Sequence, residues 1–205
     1  MVVERKVIED FIRRAYDTAC GHGFHDVELS DQHMLMLVIG EIGEMVEADR
    51  KSRRADVASF KALEEIRIGS DAEYAEYVNK CFVEHIKDTL EDELADVCIR
   101  IFDFCGLRKI TPAMSSKGVF GMQDEFKRIF GGMTICKQCF SLSCLVCDVG
   151  RYGEKWGKDR MEREIGAILS FCFEFARFHG IDLEWHIEQK MRYNESRPPK
   201  HGKKY

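Results

Sequence analysis

Four carboxylates stand out by residue type and spacing. Glu41 and Glu44 make an ExxE step within EIGEMVEAD, and Glu93 and Asp96 make an ExxD step within EDELADVCIRIFD. Residues three apart share one face of a helix, so each pair aims two carboxylates in the same direction. The acids interrupt apolar stripes: Glu41 shares its face with Met34, Leu37 and Ala48, while Glu93 stands between Leu90 and Val97. Four carboxylates near the interior of a bundle repel one another and lose hydration unless a cation neutralises them. An all-oxygen donor set selects a hard divalent ion, Mg²⁺ or Mn²⁺, over zinc, and Mg²⁺ keeps positions open to phosphate oxygens and water. Phosphoryl chemistry is the expectation. Either pair alone would fit an ordinary surface helix; two pairs at apolar-leaning positions favour the metal.

The elements that must hold these acids are helices. The chain has 205 residues, 45% apolar and 33% charged, and its only prolines are Pro112, Pro198 and Pro199. With no proline in the first 111 residues, little interrupts helices there. An all-α fold is expected: a bundle of antiparallel helices forming a single domain over 1–205. Periodicity predicts helices at 3–20 and at 31–52, where Leu35, Val38, Ile39, Ile42 and Val46 recur and Ser30 or Asp31 is the cap. Residues 53–72 read as a loop with a short helix. A long helix starts at 72 or 82 and ends at 106, with Gly106 as its C-cap. Residues 107–133 read as a connection with one short helix at 122–130, followed by helices at 134–150, 160–179 and 182–194. The halves 1–110 and 134–205 also align with each other, Leu35, Val38 and Ile39 falling on Leu142, Leu145 and Val146. The pattern is either an internal duplication of a helix pair or the ordinary likeness of amphipathic helices.

Other function classes recede. No apolar run reaches the roughly 18 to 20 residues of a membrane span, and the opening MVVERKVIEDFIRR reads as an amphipathic helix instead of a signal peptide. A cytoplasmic protein without a membrane partner is expected. Nine cysteines form an odd set in apolar surroundings, which fits reduced thiols. Cys136–Cys139 and Cys144–Cys147 make two CxxC units, but only four residues separate them, against the about 15 to 20 of a zinc ribbon. Buried thiols on one helix are expected. The seven histidines show no HxxxH or HxH spacing. The net charge is −5, yet residues 190–205 hold six Lys and Arg against Glu195 alone, so a basic tail faces an acidic body. A uniformly basic footprint for nucleic acid is absent and no nucleic-acid partner is expected. The tail is either a lid that closes on phosphates or a solvated end.

The acidic motifs, their order and helical setting, and the ending KMRYNESRPPKHGKKY resemble the MazG-like all-α nucleoside triphosphate pyrophosphohydrolase superfamily over nearly the whole chain. The resemblance implies Mg²⁺-dependent hydrolysis of a nucleoside or deoxynucleoside triphosphate to the monophosphate and pyrophosphate. It makes Glu41, Glu44, Glu93 and Asp96 metal ligands, and gives Lys190, Asn194, Arg197 and Lys203 contacts to the substrate. A glutamate would take the proton of the attacking water, and Glu44 and Glu47, both beyond Glu41 on its helix, are the two candidates. His33 opens the same helix and is either a nucleobase contact or an ordinary helix-end residue; Asp103 either joins the metal site or is a solvated or paired acid. Two departures from the family pattern are the 48 residues between Glu44 and Glu93 and the second half, where Asp148, Arg151, Glu164 and Ala167 replace the four acids. The dimeric dUTPase branch shows similar pairing, and a homodimer is the expected assembly. The competing expectation is a non-catalytic helical interaction module that kept the fold.

Overall fold

The computed structural model describes residues 4–114 and 123–199, with backbone alone for 123–125. Within them lie nine α-helices and no strand: α1 (Arg5–Gly21), α2 (Asp31–Arg50), α3 (Val57–Glu64), α4 (Asp71–His85), α5 (Leu90–Arg108), α6 (Gln123–Phe130), α7 (Ile135–Tyr152), α8 (Lys158–Phe178) and α9 (Leu183–Glu195). None of the described helices is long and apolar enough to cross a membrane. Side-chain caps start several of them. Ser30 accepts from the His33 N–H, Thr134 from Lys137 and Asp182 from Trp185, while Ser70 and Glu73 close a capping box on α4.

The register of the bundle can be followed through its polar contacts. Arg108 at the end of α5 donates to Asp31 at the start of α2 (2.6 Å), and Leu90 at the start of α5 donates to the Arg53 carbonyl beyond the end of α2 (3.3 Å). The two helices therefore run antiparallel, with Glu41 opposite the middle of α5. Gln32 donates to the Gly150 carbonyl, which sets α7 antiparallel to α2, and His179 meets Gln138, which sets α8 antiparallel to α7. Val38, Ile42 and Met45 of α2, Leu94, Val97 and Ile101 of α5, Leu142 and Val146 of α7, and Ile165, Ile168 and Leu169 of α8 join one buried apolar cluster. Both sequence halves supply it. Each such side chain contributes about 1.5–3 kcal/mol of transfer free energy, so the core fixes the α2–α5 face on which the acids sit.

Three local expectations are corrected. The long helix ending near 106 is two helices, because Asp88 adopts φ 59° and Thr89 starts α5 afresh: its hydroxyl donates to the Ile86 carbonyl and accepts from the Asp92 N–H. Gly106 does not end α5. The helix runs on to Arg108 and stops at Lys109 (φ 54°); a Cβ on Gly106 would stand 2.5 Å from the Tyr16 Cβ, so the glycine is needed for the approach of α1. On α7, Cys139 is buried, but Cys136 and Cys144 are exposed and Cys147 half-buried, so the two CxxC units are not a row of buried thiols. All nine cysteines are free thiols.

The stretch between Glu44 and Glu93 is filled by the α3–α4 hairpin. It has its own buried cluster of Phe60, Val78, Cys81, Phe82 and Ile86, against which Trp185 and Tyr193 of α9 pack.

Candidate metal centre and adjoining cavity

Antiparallel packing of α2 on α5 brings the two motifs together. One carboxylate oxygen from each of Glu41, Glu93 and Asp96 lies within 4.8 Å of the others. Glu41 is 8% exposed and Glu93 3%. Burial first, and the charge of Asp96 second, push the Glu93 carboxyl up to about 9, with Lys190 pulling the other way. The Glu41 carboxyl is raised by burial and then by Asp96, against the pull of Arg100, whose Nε sits 3.0 Å from Glu41 Oε1. Glu44 is exposed and adds to the negative field felt by both Glu41 and Glu93. Protonation is thus favoured here because negative charge is buried in excess of its local compensation.

Beneath the acids lies a cation from the far end of the chain. Lys190 of α9 is 5% exposed, with its Nζ 2.6 Å from Asp92 Oδ2 and 2.7 Å from Asp96 Oδ2. Burial opposes its charge, but Asp96 and then Asp92 outweigh burial and its pKa is raised. Asp92 is 1% exposed and is lifted by burial to about 6, with Lys190 working against the shift. Its Oδ2 also accepts from the Asp88 N–H (3.0 Å), while Oδ1 has no hydrogen-bond partner. The same carboxylate therefore fixes the α4–α5 junction and neutralises Lys190.

A cavity of about 90 Å³ opens from Glu41 and Asp96. It continues past Thr18 and Phe24 to Ile99 and Asp103, and Asn194 and Arg197 form its α9 side. Arg197 lies over the Tyr193 ring, 5.6 Å from its centroid. Asp103 is paired with His25 (2.7 Å) and so is a cavity-lining paired acid that stands outside the acidic triad.

The structure groups Glu41, Glu93 and Asp96, places Glu41 and Asp96 on the cavity that Asn194 and Arg197 also line, and leaves Glu44 exposed within electrostatic reach of Glu41 and Glu93. Lys190 is corrected from a substrate contact to a buried counter-ion, since its ammonium is paired with two carboxylates and does not line the cavity. Glu47 turns to Lys51 and Arg50 (2.9 Å each), and the Lys51 contact first among them holds its pKa below the usual glutamate range, so it makes a poor base. His33 does not line the cavity. Lys203 lies outside the described residues. Among the described residues, neither group of potential metal ligands includes cysteine or histidine. Sequence reasoning missed Arg100, Asp92 and the His25–Asp103 pair. Arg100 was available as the residue four beyond Asp96 on the same face, and Asp92 as the end of a Thr-x-x-Asp cap signature; His25 sits in a turn with no periodic signal. Compared with protein-family models, curated proteins and solved structures, the chain matches none.

Proposed function

We propose that the protein is a MazG-like nucleotide pyrophosphohydrolase that hydrolyses a nucleoside or deoxynucleoside triphosphate to the monophosphate and pyrophosphate. Mg²⁺ is its metal, with Mn²⁺ able to replace it. The observation that carries this reading is the convergence of three acids from two helices, two of which, Glu41 and Asp96, line the same cavity as Asn194 and Arg197. The donor set fits such an ion: the ligands are all carboxylate oxygens, and the burial that raises Glu41 and Glu93 would be relieved by a cation. Glu41, Glu93 and Asp96 would hold it, with exposed Glu44 as the fourth carboxylate available to the set. A hard divalent ion supplies charge neutralisation and Lewis acidity to a triphosphate.

The chain's own groups do the rest. Lys190 fixes the rotamer of Asp96 and partly offsets its charge. Arg100 does the same for Glu41. Arg197 reaches the phosphates through a charge-assisted contact, and the Asn194 amide hydrogen-bonds phosphate or sugar. The Glu44 carboxylate, exposed and without the Lys51 and Arg50 contacts that occupy Glu47, accepts the proton of the water that attacks phosphorus. Nine free thiols suit a reducing compartment such as the cytoplasm.

The test is a panel of NTPs and dNTPs incubated with Mg²⁺, with Mn²⁺ and with chelator, the products resolved by anion exchange. Monophosphate and pyrophosphate with metal, and neither with chelator, is the expected result. Diphosphate and phosphate would contradict the bond assignment, and no turnover of any nucleotide with either metal would leave the helical interaction module as the better reading.

A further inference from the structure

The outer face of α7 carries an apolar stripe bounded by two unlike charges. Phe140 is 71% exposed, and Cys136 and Cys144 are exposed on the same side. From Ile135 to Gly150 the helix has only two charged residues, Lys137 and Asp148, both exposed. Eleven residues is close to three full turns, so these two lie on one face with Phe140 and Cys144 between them, about 16 Å apart along the axis. Neither makes an ion pair within the described chain. Met36 of α2 is also exposed, one turn beyond Gln32, whose amide reaches Gly150; apolar surface therefore continues beside the C-terminal end of α7.

We infer that this face pairs with a second copy of the same chain through an antiparallel, two-fold α7–α7 contact. The charge pattern selects that occupant and that direction. A two-fold axis crossing α7 between Leu142 and Ser143 sets Lys137 against the partner's Asp148, and Asp148 against the partner's Lys137, while Phe140 and Cys144 close over the middle. A parallel pairing would put like charge on like and align the helix dipoles unfavourably. The contact is isologous, as closed dimers require. A single helix pair with flanking residues is a small interface, so the dimer is of the weak, concentration-dependent kind. This inference is independent of the proposed hydrolase activity.

Sedimentation velocity of the full chain over a series of loading concentrations tests it, with circular dichroism to verify folding. Reversible dimerisation is expected, and Phe140→Asp should abolish it in a folded protein. Lys137→Asp alone and Asp148→Lys alone each set like charges across both ends of the pair and should raise the dissociation constant about tenfold or more. Mixing these two single variants should restore dimers, because every facing pair is again unlike, and the double variant should self-associate like the wild type. Monomer at every concentration overturns the inference. So does a dimer that ignores Phe140→Asp, or charge reversals that do not complement each other.

Discussion

Replacing Lys190 with methionine keeps an unbranched side chain of similar length and deletes the ammonium. Asp92 would then remain 1% exposed, with Oδ1 unpartnered and Oδ2 left with the Asp88 N–H, and Asp96 would lose its 2.7 Å contact. Removing one partner of a buried ion pair costs about 3–5 kcal/mol. Asp92 has an escape, because burial already lifts it to about 6 and loss of Lys190 lifts it further, so near neutral pH it takes up a proton instead of staying charged. That limits the loss to the low end, about 3 kcal/mol at pH 7, or roughly 6–12 °C in Tm for a chain of this size. The sign with pH follows. A carboxyl whose folded pKa is raised destabilises the fold as pH rises through the window above its unfolded value, so the variant should fall further behind the wild type between pH 6 and pH 8. Urea unfolding of metal-free protein at pH 6, 7 and 8, followed by far-ultraviolet circular dichroism, measures this. Adding Asp92→Asn, which removes the stranded charge but keeps an acceptor for Asp88, should recover most of the loss. A cost below about 1 kcal/mol at pH 7, or no recovery in the double variant, would refute the counter-ion role of Lys190.

Glu41→Gln and Asp96→Asn should each abolish Mg²⁺-dependent hydrolysis, Glu41→Gln without lowering the Tm of the metal-free protein and Asp96→Asn with a lower Tm because it removes a charge partner of buried Lys190, as checked by product analysis and thermal melts; retained turnover would remove the acids from the metal. Glu93, raised to about 9, destabilises the metal-free fold increasingly as pH climbs from its unfolded value near 4.5, so Glu93→Gln should raise Tm by an amount that grows from pH 5.5 to pH 8.5, and Mg²⁺ should stabilise the wild type more than this variant. Arg197→Ala removes one charge-assisted contact worth about 1.5–3 kcal/mol and should lower kcat/KM roughly tenfold or more, with Mg²⁺ binding by calorimetry unchanged; an unaltered kcat/KM would place the tail outside the substrate site.

The features readable from sequence are those encoded within one helix. The apolar rhythm of Leu35, Val38 and Ile42 marks α2 and its buried face, and the same rhythm shows that Glu41 and Glu93 break into that face. Ser30 is a cap by residue type and by position. What resisted reading depends on partners distant along the chain. Lys190 sits in a basic, tail-proximal run, and nothing in its neighbourhood indicates that Asp92, 98 residues earlier, will hold it in the interior. Gly106 carries the composition of a cap, whereas its use is set by Tyr16 on another helix. The α4–α5 break was visible in principle as Thr89-Leu90-Glu91-Asp92, but the apolar stripe passing from Phe82 and Ile86 to Leu90 and Leu94 keeps helical rhythm across it and hides the cap. Cys136 and Cys144 look apolar enough to be buried, yet which side of α7 meets α2 and α8 is decided by the bulkier Leu142, Val146 and Val149.

The long interval between the two acidic motifs has a structural use that bears on the site. The α3–α4 hairpin grips α9 from one side: Phe82 stacks on Tyr193 with centroids 4.7 Å apart, Phe60 meets Trp185 edge-on at 5.8 Å, and Glu64 takes Arg192 at 2.7 Å. From another side Arg14 of α1 holds Glu188 and Glu195, at 2.6 and 3.0 Å. The third hold is the Lys190 contact with α5. Each aromatic pair adds about 0.5–1.5 kcal/mol beyond the area it buries, and exposed ion pairs add less, so the hairpin's rings are the stronger external clamp. Tyr193 and Asn194 are consecutive, and the ring held by Phe82 immediately precedes the amide that lines the cavity. The hairpin therefore extends the support of the site to the helix that delivers Asn194 and Arg197. The acids are fixed by the core between α2 and α5, whereas the helix that brings Asn194 to the cavity is held by a segment whose own core contains none of the acidic motif.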